Sequence, residues 1–117
     1  MILENLNFLT LIIFVPLLVL VGILGFITPS DKKVISVEQP YNIFHIVCGV
    51  IGALVLMSNH DLAIKSFNVI YGLVNLYQLI ASMSHRYPVR HFQWTRADNI
   101  AHGVLAVLFL AVGFLGE

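Results

Sequence analysis

From Phe8 to Ile27 the chain runs apolar, broken only by Thr10, Pro16, Gly22 and Gly25. A run of about 20 apolar residues is what a helix needs to cross the hydrocarbon core of a bilayer. Three further stretches of comparable length follow, at 40–58, 62–83 and 98–116. Hydrophobic residues make up 59% of the chain and charged ones only 10%, against about 25% charged in ordinary soluble domains, so there is too little polar surface for a water-soluble fold. The sequence therefore predicts an all-α integral membrane protein, a four-helix bundle that occupies 1–117 as one domain. Six basic residues balance six acidic ones, which leaves no basic patch for nucleic acid. The lone Cys48 forms no internal disulfide and reads as a small interior residue.

The connections are short and polar. Met1 to Asn7 carries Glu4 and no Lys or Arg, unlike a cleavable signal peptide, so the first span is expected to be retained. Pro16 is expected to kink that span. Residues 29–39, with Asp31, Lys32, Lys33 and Glu38, form a loop, and Pro40 suits the first turn of the second helix. Asn59, His60 and Asp61 form a tight turn in which Asp61 is expected to cap the third helix, and Asp98 is expected to cap the fourth. Lys65 is placed to reach the headgroups. Residues 84–97 mix Arg86, Arg90 and Arg96 with Tyr87, Phe92 and Trp94, a composition suited to the membrane interface. Since the loops after spans one and three hold Lys32, Lys33, Arg86, Arg90 and Arg96, and the opposite side only Lys65, loops 29–39 and 84–97 are expected to be cytoplasmic. Both termini then lie on the non-cytoplasmic side, in a bacterial inner membrane or its equivalent.

Polar residues inside the spans fall in register. Asn42, His45, Gly49, Gly52 and Leu56 share one helix face, as do Asn99, His102, Ala106, Phe109, Gly113 and Gly116. Each of these helices opens with Asn-x-x-His, which reads as a short internal repeat relating the two helix pairs. The third span repeats the spacing with Asn68, Tyr71, Asn75, Gln78 and Ser82. At 1.5 Å rise per residue, His45, His102 and Gln78 are expected at one level, about 7 to 8 Å inside the cytoplasmic end, with Asn42, Asn99 and Ser82 one turn outward.

Polar residues in a span are costly, so such a layer needs a purpose. One reading is an interhelical hydrogen-bond network of Asn42, His45, Asn68, Tyr71, Asn75, Gln78, Ser82, Asn99 and His102, with small residues allowing close helix approach. The other makes His45 and His102 the metal ligands of a tetrapyrrole, haem or chlorophyll, with arginines at the cytoplasmic edge for haem propionates. Two histidines alone make an incomplete zinc site. Because Glu4, Asp31, Glu38, Asp61, Asp98 and Glu117 all fall at ends or in loops, no carboxylate-driven pump is expected. His60, His85 and His91 fall in turns or at the interface and read as solvated.

Residues 42–52, Asn-Ile-Phe-His-Ile-Val-Cys-Gly-Val-Ile-Gly, and 97–106, Ala-Asp-Asn-Ile-Ala-His-Gly-Val-Leu-Ala, resemble the paired motifs of an uncharacterised family of small four-span bacterial membrane proteins, a domain of unknown function. The resemblance implies a helical membrane protein with an Asn-His pair in each half, and no particular activity. The expected function is a small non-enzymatic membrane protein, an accessory or scaffold subunit. Its partners would be the lipid bilayer and either a larger membrane complex or further copies of itself. Gly22, Gly25, Gly113 and Gly116 would supply the close helix contacts.

Overall fold

The computed structural model describes residues 2–116, and the side chains of residues 6–116. The charges of Glu4 and Glu117 therefore lie outside the described side chains. Every regular element among the described residues is helical: α1 (Ile2–Ile27), a 3-10 turn (Ser30–Lys32), α2 (Gln39–Met57), α3 (Asp61–Ser84), α4 (Val89–Phe92) and α5 (Arg96–Leu115). α1 runs unbroken through Pro16. Three helices, over Leu6–Ile27, Gln39–Met57 and Arg96–Leu115, are long and apolar enough to cross a membrane. α3 has the length but is the least apolar of the long helices, because Lys65, Asn68, Asn75 and Gln78 lie along it. The molecule is 45 Å along its longest axis, close to a bilayer with its headgroups.

The helices associate as two pairs, α1 with α2 and α3 with α5, joined by lesser contacts across the middle. Glycine permits each pairing. A methyl group at Gly49 would come within 2.5 Å of Val19 Cγ2 and 3.3 Å of the Val15 carbonyl, so α1 passes directly over that backbone. At Gly113 a methyl group would strike the Val69 side chain and lie 3.2 Å from its backbone nitrogen, so α5 and α3 meet in the same way. Gly22 and Gly25 abut Ile46 and Asn42, while Gly116 abuts Leu6 and Asn7. These glycines serve contacts within the chain.

The distribution of polarity is inverted relative to a soluble domain. Asn7, Asn42, Asn68, Asn75, Gln78, Asp98 and both motif histidines are buried, while Ile13, Leu20, Leu54, Ile70, Ile80, Val104 and Phe114 are exposed on the outer faces of the four long helices. Among the described residues, buried apolar side chains gather in two small clusters, one around Leu11, Val15 and Ile64 and one around Leu18, Tyr71 and Phe109.

The expected caps are corrected, by one residue for α3 and by three for α5. α3 is capped by His60, whose Nδ1 accepts from the Ala63 amide at 3.4 Å, and Asp61 is the first helical residue. α5 is capped by Thr95 in a reciprocal capping box, with Asp98 at the third helical position. The Asp98 carboxylate reaches back to the Thr95 amide through Oδ2, at 2.9 Å, while its Oδ1 accepts from Tyr41 in the interior. Lys65 does not reach outward either: its Nζ donates to the Gly116 carbonyl at 2.7 Å, closing the last turn of α5.

Candidate functional site

Where the two helix pairs meet, a cavity of about 300 Å³ remains. One wall is polar, formed by Tyr41 and His45 of α2, Asn75 and Gln78 of α3, and Asp98 and His102 of α5. The facing wall is Phe14, Leu17, Leu18 and Val21 of α1 with Leu105 of α5. Leu17 is 45% exposed, so the cavity reaches the apolar outer surface at the level of α1.

Asp98 organises the polar wall. It is 1% exposed, and its carboxylate accepts from the Ser36 amide at 2.8 Å, the Thr95 amide at 2.9 Å and the Tyr41 hydroxyl at 3.0 Å, with the Thr95 hydroxyl also within 3.0 Å. These donors satisfy the carboxylate oxygens in a dry site. The three come from the loop after α1, the loop before α5, and α2, so one side chain ties both helix pairs together. The Ser36 hydroxyl donates to the Phe92 carbonyl, and the Thr95 hydroxyl lies 2.9 Å from the Val34 carbonyl. Asp98 lies at a helix end as expected, in the first turn of α5, but it is buried within the interior layer.

Tyr41 carries the chain onward. Its hydroxyl lies 2.8 Å from His102 Nε2, and its ring centroid lies 4.2 Å from that of His45. Phe92 packs on Tyr41 at 5.0 Å between centroids, and Trp94 makes T-shaped contacts with both Phe92 and His102. The aromatic residues of loop 84–97, expected at the membrane interface, thus divide: Tyr87 is exposed, while Phe92 and Trp94 fold inward as a cover over the histidine layer.

Of the expected site residues, His45, Tyr71, Asn75, Gln78 and His102 line this one cavity. The others do not. Asn42 is buried one turn outward and donates to the Val37 carbonyl at 2.9 Å. Asn99 and Ser82 are half-buried. Asn68 lies toward the opposite end, where it donates to the Asn7 side-chain oxygen at 2.9 Å. Tyr41, Asp98, Ser36 and Thr95 were absent from the expected set. For Tyr41 and Asp98 the signal is present: Tyr41 precedes His45 by four residues and Asp98 precedes His102 by four, which puts each pair on one helix face.

The polar wall is incompletely paired. Asn75 Nδ2 donates to the Tyr71 carbonyl at 2.8 Å, but Asn75 Oδ1, Gln78 Oε1, His45 Nδ1 and His102 Nδ1 are buried with no hydrogen-bond partner. A bis-imidazole tetrapyrrole does not fit this arrangement. His102 Nε2 is engaged by Tyr41, the Tyr41 ring lies against His45, and a macrocycle between the two imidazoles would have to displace that residue. Among the described residues no group of three or more His, Cys, Asp or Glu side chains is arranged to hold a metal ion.

No protein-family model, no curated protein and no solved structure matches the chain.

Proposed function

We propose that this chain is a small, non-enzymatic, four-span membrane protein that holds a compact neutral ligand in the cavity between its two helix pairs. The observation that carries this reading is the set of four unpartnered polar atoms on residues lining that cavity, on His45, Asn75, Gln78 and His102. Each buried orphan costs roughly 1 to 3 kcal/mol, and native interiors leave few of them. A closed scaffold would retain that penalty, whereas a ligand toward which these side chains turn would lower it. The volume suits a ring-sized body, since a cavity of about 150 Å³ already accepts benzene.

The fourth span in this reading is α3, whose outer face carries Leu62, Ile70, Leu73 and Ile80, all exposed, with its polar stripe directed to the interior. The hydrogen bonds between residues 34–36 and 92–98 bring loops 29–39 and 84–97 to one end of the molecule. That end gathers Lys32, Lys33, Arg86, Arg90 and Arg96, which supports a cytoplasmic placement for it and a non-cytoplasmic one for both termini. An accessory role in a larger complex draws less support, because the glycines that motivated it are engaged within the chain.

The test is organic extraction of the purified protein, never stripped of its native lipid, followed by mass spectrometry of what is released. Wild type should yield one compound near one per chain. Ala101→Phe, which fills the cavity from α5 where Ala101 lines it, should yield none. Equal yields from both, or only bulk lipid from wild type, would overturn the reading.

A further inference from the structure

A second hollow of about 300 Å³ lies beside the inner cavity, along the loop end of α1. Its apolar walls are Val21 and Leu24 of α1 and Val34 and Val37 of the loop that follows. Val21 and Ile35 line both spaces and so form the partition between them. The hollow opens outward, since Leu24 is 43% exposed and Val34 75%. From Val21 to Thr28 it follows α1 for about 10 Å, at 1.5 Å per residue, and so reaches from the helix end into the apolar span Leu6–Ile27. Polarity changes along that length. The deep end is apolar, while the loop end carries Lys32 and Lys33, both exposed. Thr28, the other polar side chain of the lining, spends its hydroxyl proton on the Leu24 carbonyl at 2.7 Å, which leaves the two ammonium groups as the side-chain donors for a ligand there. Among the described residues no acidic side chain lines the hollow; Asp31 and Glu38 belong to the same loop but stand outside it.

We propose that this hollow binds one anionic phospholipid of the surrounding bilayer, with the phosphate at Lys32 and Lys33 and the upper part of one acyl chain against Val21 and Leu24. The argument is one of matched order: the hollow is cationic at the end of the span and apolar below it, and so is complementary to a lipid, whose charge and chain follow one another in the same direction. A zwitterionic lipid brings the same chain, but its ammonium group is repelled by the two lysines. Free phosphate brings the charge and leaves the apolar walls uncovered. The site goes beyond the reading of the inner cavity and does not depend on it.

The test titrates the full-length protein in detergent with dioleoyl phosphatidylglycerol or dioleoyl phosphatidylcholine, which share their chains, and reads the first lipid retained by native mass spectrometry. Phosphatidylglycerol should bind about tenfold or more tighter, the factor expected from two lysines at the membrane surface. Lys32→Gln combined with Lys33→Gln should abolish that preference. Arg86→Gln combined with Arg90→Gln removes the same charge from exposed positions at the same end, outside the hollow, and should keep it. Leu24→Trp, which adds bulk to the apolar wall and leaves both lysines in place, should weaken phosphatidylglycerol severalfold. Ala101→Phe, which fills the inner cavity, should leave the preference unchanged, so the two sites stand or fall separately. Equal affinities for the two lipids in wild type, equal losses from the lysine and arginine pairs, or displacement of the lipid by millimolar inorganic phosphate would overturn the proposal.

Discussion

At the scale of single residues the account turns on Asp98. Replacing it with Ala removes the acceptor for the Ser36 amide, the Thr95 amide and the Tyr41 hydroxyl together. Each orphaned donor costs on the order of 1 to 3 kcal/mol, so Asp98→Ala should lose roughly 3 kcal/mol or more, seen as a large fall in thermal midpoint in detergent. Tyr41→Phe removes one hydroxyl and should lose about 1 to 3 kcal/mol on the same assay. A fall for Asp98→Ala no larger than for Tyr41→Phe would mean that the carboxylate does not organise the layer. The sequence made both histidines conspicuous and left Asp98 looking like a surface cap. The reason is physical: Asp directly before Asn-x-x-His is compatible with capping and with burial alike. Only the loop after α1, folding back to place the Ser36 amide on Asp98, decides between them.

At the scale of elements, the pairing of helices depends on where a side chain is missing. Gly49→Ala and Gly113→Ala each force a methyl group against the backbone of the partner helix and should cost about 1 to 3 kcal/mol, the usual penalty of overpacking. Gly103 is the contrast, since a methyl group there would meet only Leu79 Cδ2, at 3.5 Å. Gly103→Ala should be neutral or stabilising by roughly 0.5 to 1 kcal/mol, from the lower entropy cost of Ala in a helix. Thermal unfolding of the three variants checks the ordering, and a Gly113→Ala protein as stable as Gly103→Ala would contradict the α3–α5 contact. Helix positions were legible because apolar length and Pro40, Asn59 and the loop charges mark the ends. Less legible was which glycine meets which neighbour. A face of small residues shows that something approaches closely, and topology alone says that it is Val19 for Gly49 and Val69 for Gly113.

At the scale of the molecule, an interior of amides, histidines and a carboxylate lies beneath an outer surface of Ile, Leu and Val. The inward stripes of α2, α3 and α5 could be read from spacing because polar residues in spans turn away from lipid. The cavity could not, since it depends on Phe92 and Trp94 folding over the layer and on α1 contributing only apolar side chains there. The proposed orientation has its own check: a cysteine placed at Ser30 in cysteine-free Cys48→Ala protein should resist impermeant maleimide added outside intact cells and react after the membrane is opened. Rapid labelling in intact cells would reverse the topology while leaving the cavity untouched.

The claim on which the rest depends is that the space between the helix pairs is built to be filled, and it is tested most directly by an experimental density map of the protein kept in its native lipid. The account predicts a connected, ring-sized feature between Leu18 and the wall of Tyr41, Gln78 and His102. Separate water-sized peaks, or Phe14 and Leu17 turned inward to close the space, would contradict it.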